Sequence, residues 1–265
     1  MNKVLVVLVV IFSSACTTDL TVQDNAPKHI PINVMAVPDA IPRYEKRTRA
    51  GNPSVYKVLG KQYRVLAESK GYQQKGIASW YGTKFHGRKT SNGEVYDMYA
   101  MTAAHKTLPI PSYVRVTNLK NQQTVVVRVN DRGPFHQNRI IDLSYTAAVK
   151  LGIQKTGTGF VEVTALEPKA NKMPEHRVYP SVQRKKEAAF YIQTGAFSSQ
   201  INAWQMQKKL MAGQITNSTI KVAQRQGNEL YKVQVGPLYS VNQADLVNEK
   251  LADLGLLETQ LVIAK

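Results

Sequence analysis

From residue 75 to residue 168 the chain is cut into short apolar runs, and a single segment carries both a helix start and a helix stop. Val114 to Thr117 alternates apolar and polar side chains, Asn118 to Gln123 supplies a turn, and Thr124 to Val129 resumes the apolar run. Two such runs across a polar turn predict a β-hairpin. Gly76, Gly82, Gly87 and Gly93 punctuate the first part and predict irregular loops or tight crossings. After Ile140 to Leu143, Ser144 can cap a short helix that runs to Leu151, with Gly152 as its stop. Gly159 to Leu166 reads as a closing strand. One short helix among several strands predicts a small barrel.

The rest of the chain is organised around that unit. At roughly 150 residues per domain, 265 residues suit about two domains. An apolar fraction of 43% excludes wholesale disorder. Residues 169–187 carry a net charge of +4 and include Pro174 and Pro180, which reads as a basic linker. Residues 188–265 hold an internal repeat. Ile192 to Ser199 matches Val233 to Ser240, and Ala203, Met206 and Leu210 match Ala244, Val247 and Leu251. Each half begins as a strand, turns at a glycine and enters a helix near a serine cap. The second helix is expected to bury Ala244, Val247, Leu251 and Leu254 and to stop at Gly255. With strands at residues 219–224 and 259–264 this gives β-α-β-β-α-β, a ferredoxin-like unit with one open sheet face. Residues 16–74 contain Pro27, Pro31, Pro38, Pro42 and Pro53 without helical period and read as an extended tether. A strand-like stretch at 55–66, with Tyr56 and Tyr63, is expected to add an extra strand to the barrel.

A net charge of +17 invites nucleic acid as partner, but the N-terminus argues against it. Lys3, the unbroken apolar run from Val4 to Phe12 and the small residues Ser13, Ser14 and Ala15 form the three-part pattern of an export signal. The run is too short to span a membrane. Cys16 is the one cysteine of the chain, so no internal disulfide forms. Two readings of Cys16 stand: it leaves with the signal, or it becomes the first mature residue and carries lipid. Its placement resembles a bacterial lipoprotein signal with residues 1–15 removed, and Thr17 after it resembles lipoproteins sent to an outer membrane.

Three stretches carry the chemistry. Gly76 to Pro109 contains Trp80-Tyr81-Gly82, Asn92-Gly93-Glu94 and Ala103-Ala104-His105; Arg128 to Phe135 contains Asn130-Asp131-Arg132-Gly133-Pro134; Arg139 to Ser144 contains Ile141-Asp142-Leu143. These stretches resemble the double-psi β-barrel of the rare lipoprotein A family over residues 75–165. The C-terminal unit resembles the SPOR domain that accompanies that barrel. The resemblance implies a six-stranded double-psi barrel at 75–168 followed by a SPOR domain at 188–265, a mainly β plus α+β chain. It also implies a lytic transglycosylase of peptidoglycan that closes a 1,6-anhydro ring on N-acetylmuramic acid. Asp131 matches the family's essential aspartate, and Glu94 and His105 match supporting polar residues of the cleft. Ser91 stands where alanine is common and Gln122 where a turn glycine is common, and neither departure is expected to touch an ionisable group.

Read without the resemblance, these residues are less decided. Asp131 before Gly133-Pro134 also suits a turn former, Glu94 an exposed turn residue and His105 a structural histidine. Asp142 is placed to structure the turn into the helix. Trp80, Tyr81 and Phe85 suit either sugar-facing cleft walls or core. Arg132 is expected to point outward, toward substrate. On the SPOR unit, Tyr191, Gln193, Leu230 and Lys232 match glycan-binding positions. Such domains bind strands stripped of stem peptides, as found at division septa, so the resemblance implies a monomer at the septum, lipid-anchored to the outer membrane of a Gram-negative cell and facing the periplasm. No cofactor, metal site or nucleic-acid partner is expected; the five histidines show no ligand spacing. A second class of function stays open, a non-catalytic wall-binding lipoprotein like the expansins, because the fold alone does not decide chemistry.

Overall fold

A computed structural model of the chain describes residues 24–30, 33–136, 138–168, 189–225 and 227–263. The export signal, Cys16 and the expected linker at 169–187 lie outside them. Among the described residues no helix is long and apolar enough to cross a membrane.

A two-stranded hairpin, β1 (Val55–Val58) with β2 (Lys61–Arg64), precedes six strands that close into a barrel. These are β3 (Gln73–Tyr81), β4 (Thr102–His105), β5 (Ser112–Asn118), β6 (Thr124–Asp131), β7 (Arg139–Ser144) and β8 (Thr158–Leu166), ordered β3-β7-β4-β6-β5-β8 with β8 returning to β3. The β3–β7 and β4–β6 pairs are parallel and the others antiparallel. Alternation fills the interior: Val114 and Val116, Val125, Val127 and Val129, Ile141 and Leu143, Val161 and Val163 are all fully buried in one cluster. The expected hairpin is β5–β6, with Val114 opposite Val127 and Val116 opposite Val125. Gln122 occupies its left-handed turn position at φ 61°, and its N–H donates to Asn118 O at 2.8 Å.

The helix α1 (Tyr145–Leu151) begins and ends where its caps require. Ser144 Oγ accepts from Ala147 N at 3.3 Å, and Gly152 adopts the left-handed conformation at φ 75°. Asn118 Nδ2 donates to Leu151 O at 2.9 Å, tying the helix end to the hairpin turn.

The described part of the expected tether lies along the barrel. Ala40 N donates to Val126 O, Thr48 N to Ile110 O and Leu66 N to Thr107 O, at 2.8 to 3.0 Å. The prolines keep this segment extended, and the barrel supplies the partners that an extended backbone otherwise finds in water. The expected extra strand is the hairpin β1–β2, paired with itself and not added to the barrel. Its Tyr56 and Tyr63 stack at 5.2 Å and pack their edges on Phe135.

The C-terminal unit comprises β9 (Phe190–Phe197), α2 (Gln200–Ala212), β10 (Ser218–Arg225), β11 (Asn228–Leu238), α3 (Val241–Asp253) and β12 (Gln260–Ile263), with sheet order β10-β11-β9-β12. Ile192, Val233 and Val235 share an apolar cluster with Ala203, Leu210, Ala244 and Leu251, so both helices cover one sheet face. Leu254 caps α3 instead of extending it, and Gly255 follows at φ 74°.

Leu143 is fully enclosed in the barrel. Leu143→Ala is expected to lower the unfolding free energy by about 2–5 kcal/mol in a urea titration, and a loss well below that range would show an interior that closes over the gap.

Candidate active site

Strict alternation along β6 sends Val125, Val127 and Val129 inward and would send Asp131 inward after them. The pairing with β4 prevents this. Ala103 lies opposite Val129, but the next residue, Ala104, lies opposite Asp131, which makes Asn130 an extra residue in the strand. A bulge of this kind re-aims the side chains that follow it. Asp131 thereby joins Ala104 on the face away from the interior. There its Oδ1 accepts from Ser91 N at 2.8 Å, Ser91 Oγ at 2.6 Å and Arg132 N at 2.8 Å. An oxygen that meets three donors is fixed as an acceptor.

The loop between β3 and β4 supplies these donors. Gly87 N donates to Tyr96 O, Tyr96 N to Arg88 O and Thr90 N to Glu94 O, all at 2.8 to 2.9 Å, and Gly93 turns the tip at φ 91°. The tip presents Ser91 to Asp131 and Glu94 to β6. Glu94 Oε2 accepts from Arg128 Nη1 at 2.7 Å and from Asn130 Nδ2 at 2.9 Å; Oε1 accepts from Arg128 Nη2 at 2.9 Å. Arg128 also makes a two-point contact at 2.8 Å with Glu45, from the segment before β1. Burial alone pushes the Glu94 carboxyl up, but the hydrogen bonds from Arg128, Asn130 and Asn92 outweigh it and hold the group below its ordinary range. The Arg128 contact, against the cost of burial, brings Glu45 down to about 2. Glu94 is therefore an ionised anchor for the bulge.

His105 is enclosed. Its Nδ1 accepts from Thr107 N at 3.1 Å and Leu108 N at 3.0 Å, which places the proton of the neutral ring on Nε2, 2.8 Å from the Tyr72 hydroxyl. Burial, then the Arg132 and Lys106 charges, pull its pKa down to about 3. His105 shapes the chain after β4. Arg132 does not turn outward. Its guanidinium donates to Gly51 O, His105 O, Leu108 O and Asn52 Oδ1, at 2.5 to 3.1 Å. Turned-in loop carbonyls need donors, and a planar five-donor fork meets several at once.

On the other side of Ala104 stands Asp142, and opposite Asp142 stands Ser79 on β3. Ser79 Oγ donates to Asp142 Oδ1. Burial raises the pKa of Asp142, against the opposing pull of the Ser79 hydroxyl and of the Arg139, Lys106 and His136 charges. The aromatic residues divide. Trp80 sets an edge on Tyr145 at 5.7 Å and packs against the interior, and Tyr81 stacks on Tyr96 at 4.0 Å. Phe85, 39% exposed, shows a ring to solvent.

Comparison with known proteins finds relatives of both units. A family model described as lytic transglycolase matches residues 73–164, and the SPOR domain model matches residues 186–258. The endolytic peptidoglycan transglycosylase RlpA of Campylobacter jejuni is 36% identical over 231 residues, covering 82% of each protein. The chain belongs to the RlpA family. The RlpA of Vibrio cholerae is 50% identical over 170 residues, or 63% of this chain and 64% of that protein. The Pseudomonas aeruginosa protein is 56% identical over 137 residues, or 52% of this chain and 40% of that protein. The chain thus spans from two fifths to under two thirds of these two relatives. The crystal structure of the RlpA SPOR domain from Pseudomonas aeruginosa covers 28% of this chain and 96% of that chain, at 25% identity and a TM-score of 0.26.

In this RlpA-family chain the face of the C-terminal sheet opposite the helices gathers the four expected residues. Tyr191 and Gln193 alternate with the buried Phe190 and Ile192 on β9, and Leu230 and Lys232 fall on the matching side of β11. Gln193 lies opposite Gln234 on β11 and Gln260 on β12; Lys232 pairs with Lys221 on β10. The Lys221 ammonium sits 4.4 Å from the centre of the Tyr191 ring.

Several site residues escaped the sequence reading. Ser91 does touch an ionisable group, since two of the three donors on Asp131 are its own. Glu45 and Asn52 sit in a segment whose prolines gave no sign of packing. A clue to Glu45 was a lone acid in a basic stretch, facing Arg128, which strand alternation exposes on β6.

The His105 environment makes a pH prediction. An unfolded imidazole titrates near 6.5, while the folded one titrates at about 3. Between those values the unfolded chain holds a proton that the folded chain refuses, so this contribution to stability is complete above 6.5 and is lost as pH falls toward 3. Denaturation at pH 7.5 and pH 5 should differ by about 2 kcal/mol from this group, and His105→Gln should remove that difference. An unchanged pH dependence in the variant contradicts the assignment.

Proposed function

We propose that this chain is a lytic transglycosylase that cuts the β-1,4 bond from N-acetylmuramic acid to N-acetylglucosamine in peptidoglycan. The observation that carries the proposal is the Asp131 carboxyl, turned out of the barrel by the Asn130 bulge and anchored through one oxygen. Relatives named as endolytic peptidoglycan transglycosylases support it. In this reading Oδ2 protonates the bridging oxygen, the C1–O4 bond breaks, and the sugar's own 6-hydroxyl closes on C1. The hydroxyl proton returns to Oδ2. Water is not the nucleophile, so one carboxyl can serve as acid and then as base. Glu94 and Arg128 hold Asn130, His105 and Arg132 hold the adjoining loops, and Phe85 offers an aromatic face to a sugar ring.

The C-terminal unit serves as the glycan anchor, taking strands without stem peptides on Tyr191, Gln193, Leu230 and Lys232. Its SPOR match supports wall binding. The apolar run Val4 to Phe12 and the Cys16 that follows Ser13, Ser14 and Ala15 support a lipid anchor on the periplasmic side of the outer membrane of a Gram-negative cell, with a monomeric enzyme reaching septal glycan.

Incubation with peptide-free glycan, read by mass spectrometry, is expected to give 1,6-anhydro ends. Asp131→Asn should lower their rate by about 10²–10⁴-fold. Binding with no new ends would instead fit the expansin-like reading. For the C-terminal unit, Lys232→Glu should weaken co-sedimentation with peptide-free glycan by about tenfold or more. Unchanged sedimentation would move the binding surface elsewhere.

A further inference from the structure

The row that holds Asp131 continues across the barrel. Reading outward from β6, the residues opposite one another are Asp131, Ala104 on β4, Asp142 on β7 and Ser79 on β3. Neighbouring strands lie about 4.8 Å apart, so the two aspartates stand about 10 Å apart at the backbone, with only a methyl group between them. Gly133, at φ 136°, passes over this row. A Cβ there would stand 3.8 Å from Ala104 Cβ and 3.9 Å from Asp142 Oδ2, so the glycine keeps a side chain off that oxygen.

A second observation points to the same gap. Tyr81 is only 7% exposed, and its hydroxyl lies beside that of Thr102. The charges of both Asp131 and Asp142 act on the Tyr81 hydroxyl.

We infer that Asp142 is a second catalytic carboxyl, which gives its proton to the bridging oxygen while Asp131 takes the proton of the 6-hydroxyl. This rests on the transglycosylase reading of the same site and gives Asp142 the acid step that the one-carboxyl scheme assigns to Asp131. The C1–O4 bond breaks as O4 gains the proton of Asp142, and the C1–O6 bond forms as O6 loses its proton to Asp131 Oδ2. Asp131 then returns a proton to Asp142 through the Tyr81 hydroxyl or solvent, which restores both groups. The setting of Asp142 suits a proton donor. Three donors meet Asp131, whereas burial favours the neutral form of Asp142. The charged and titratable groups facing Asp142 are Arg139 on its own strand, Lys106 after β4, His136 after β6, Tyr81 on β3, and Asp131 across Ala104.

The test compares two substrates, peptide-free glycan and a 4-nitrophenyl β-glycoside of N-acetylmuramic acid, whose leaving group needs no proton. Asp142→Asn should lose at least about 100-fold on glycan but less than about fivefold on the aryl glycoside, while Asp131→Asn loses on both. Equal losses of Asp142→Asn on the two substrates, or no loss on glycan, overturn the inference and leave the transglycosylase reading standing. Absence of anhydro product from the unaltered chain overturns that reading, and the inference with it. Ser79→Ala keeps the carboxyl and removes its hydroxyl donor, so the alkaline limb of kcat/KM on glycan should move to higher pH. An unmoved limb overturns the inference even where Asp142→Asn fails to fold.

Discussion

One extra residue in β6 decides where the Asp131 carboxyl points. With Asn130 counted into the alternation, Asp131 would follow Val129 into the barrel, among aliphatic side chains that offer a carboxyl no partner. With Asn130 set aside as a bulge, Asp131 lands beside Ala104 and meets the Ser91 turn. A bulge gives up ladder hydrogen bonds, and this one is held by a charged frame. Glu94 grips the Asn130 amide, Arg128 grips Glu94, and Glu45 closes the frame from the far side of Arg128. Ion pairs tied by two-point contacts at 2.7 to 2.9 Å have the directionality needed to fix a backbone irregularity, which looser surface pairs lack.

The segment before the barrel belongs to the same construction. Gly51 O and Asn52 Oδ1 accept from Arg132, and Asn52 also holds Ile110 N at 2.9 Å. The hairpin β1–β2 leans its tyrosines on Phe135, just past the Asp131 motif. The loop that follows Asp131 is therefore pinned on both sides, by Arg132 reaching inward and by aromatic rings from outside. The three ionisable residues that the family resemblance singled out thus take different physical roles. One turns out of the barrel onto the Ser91 turn, one is a fixed anion that orders a strand, and one is a neutral ring that orders a loop.

Much of the architecture was legible in the sequence because it rests on local rules. Alternating valines gave the β5–β6 hairpin, Ser144 and Gly152 bounded α1, and a repeat offset gave the two halves of the C-terminal sheet. The site was legible only through its motif, for a physical reason: the bulge breaks the period that makes strands readable. Asp142 was passed over because its position before a capping serine already had a local explanation, and its row with Ala104 and Asp131 exists only once parallel and antiparallel pairings meet in one barrel. Arg132 was misjudged because a charged side chain near a loop suggests solvent, while the carbonyls that claim it come from chain stretches about 24 to 81 residues away.

The orientation of Asp131 against substrate is the claim on which the rest stands. A crystal structure of the Asp131→Asn chain with a bound peptide-free glycan tests it most directly. The account predicts the side chain at position 131 on the outer face, about 2.6–3.2 Å from the bridging oxygen or the 6-hydroxyl of one N-acetylmuramic acid. A glycan seated elsewhere, or one whose bridging oxygen meets Glu94 or His105 while position 131 faces the interior, would contradict it.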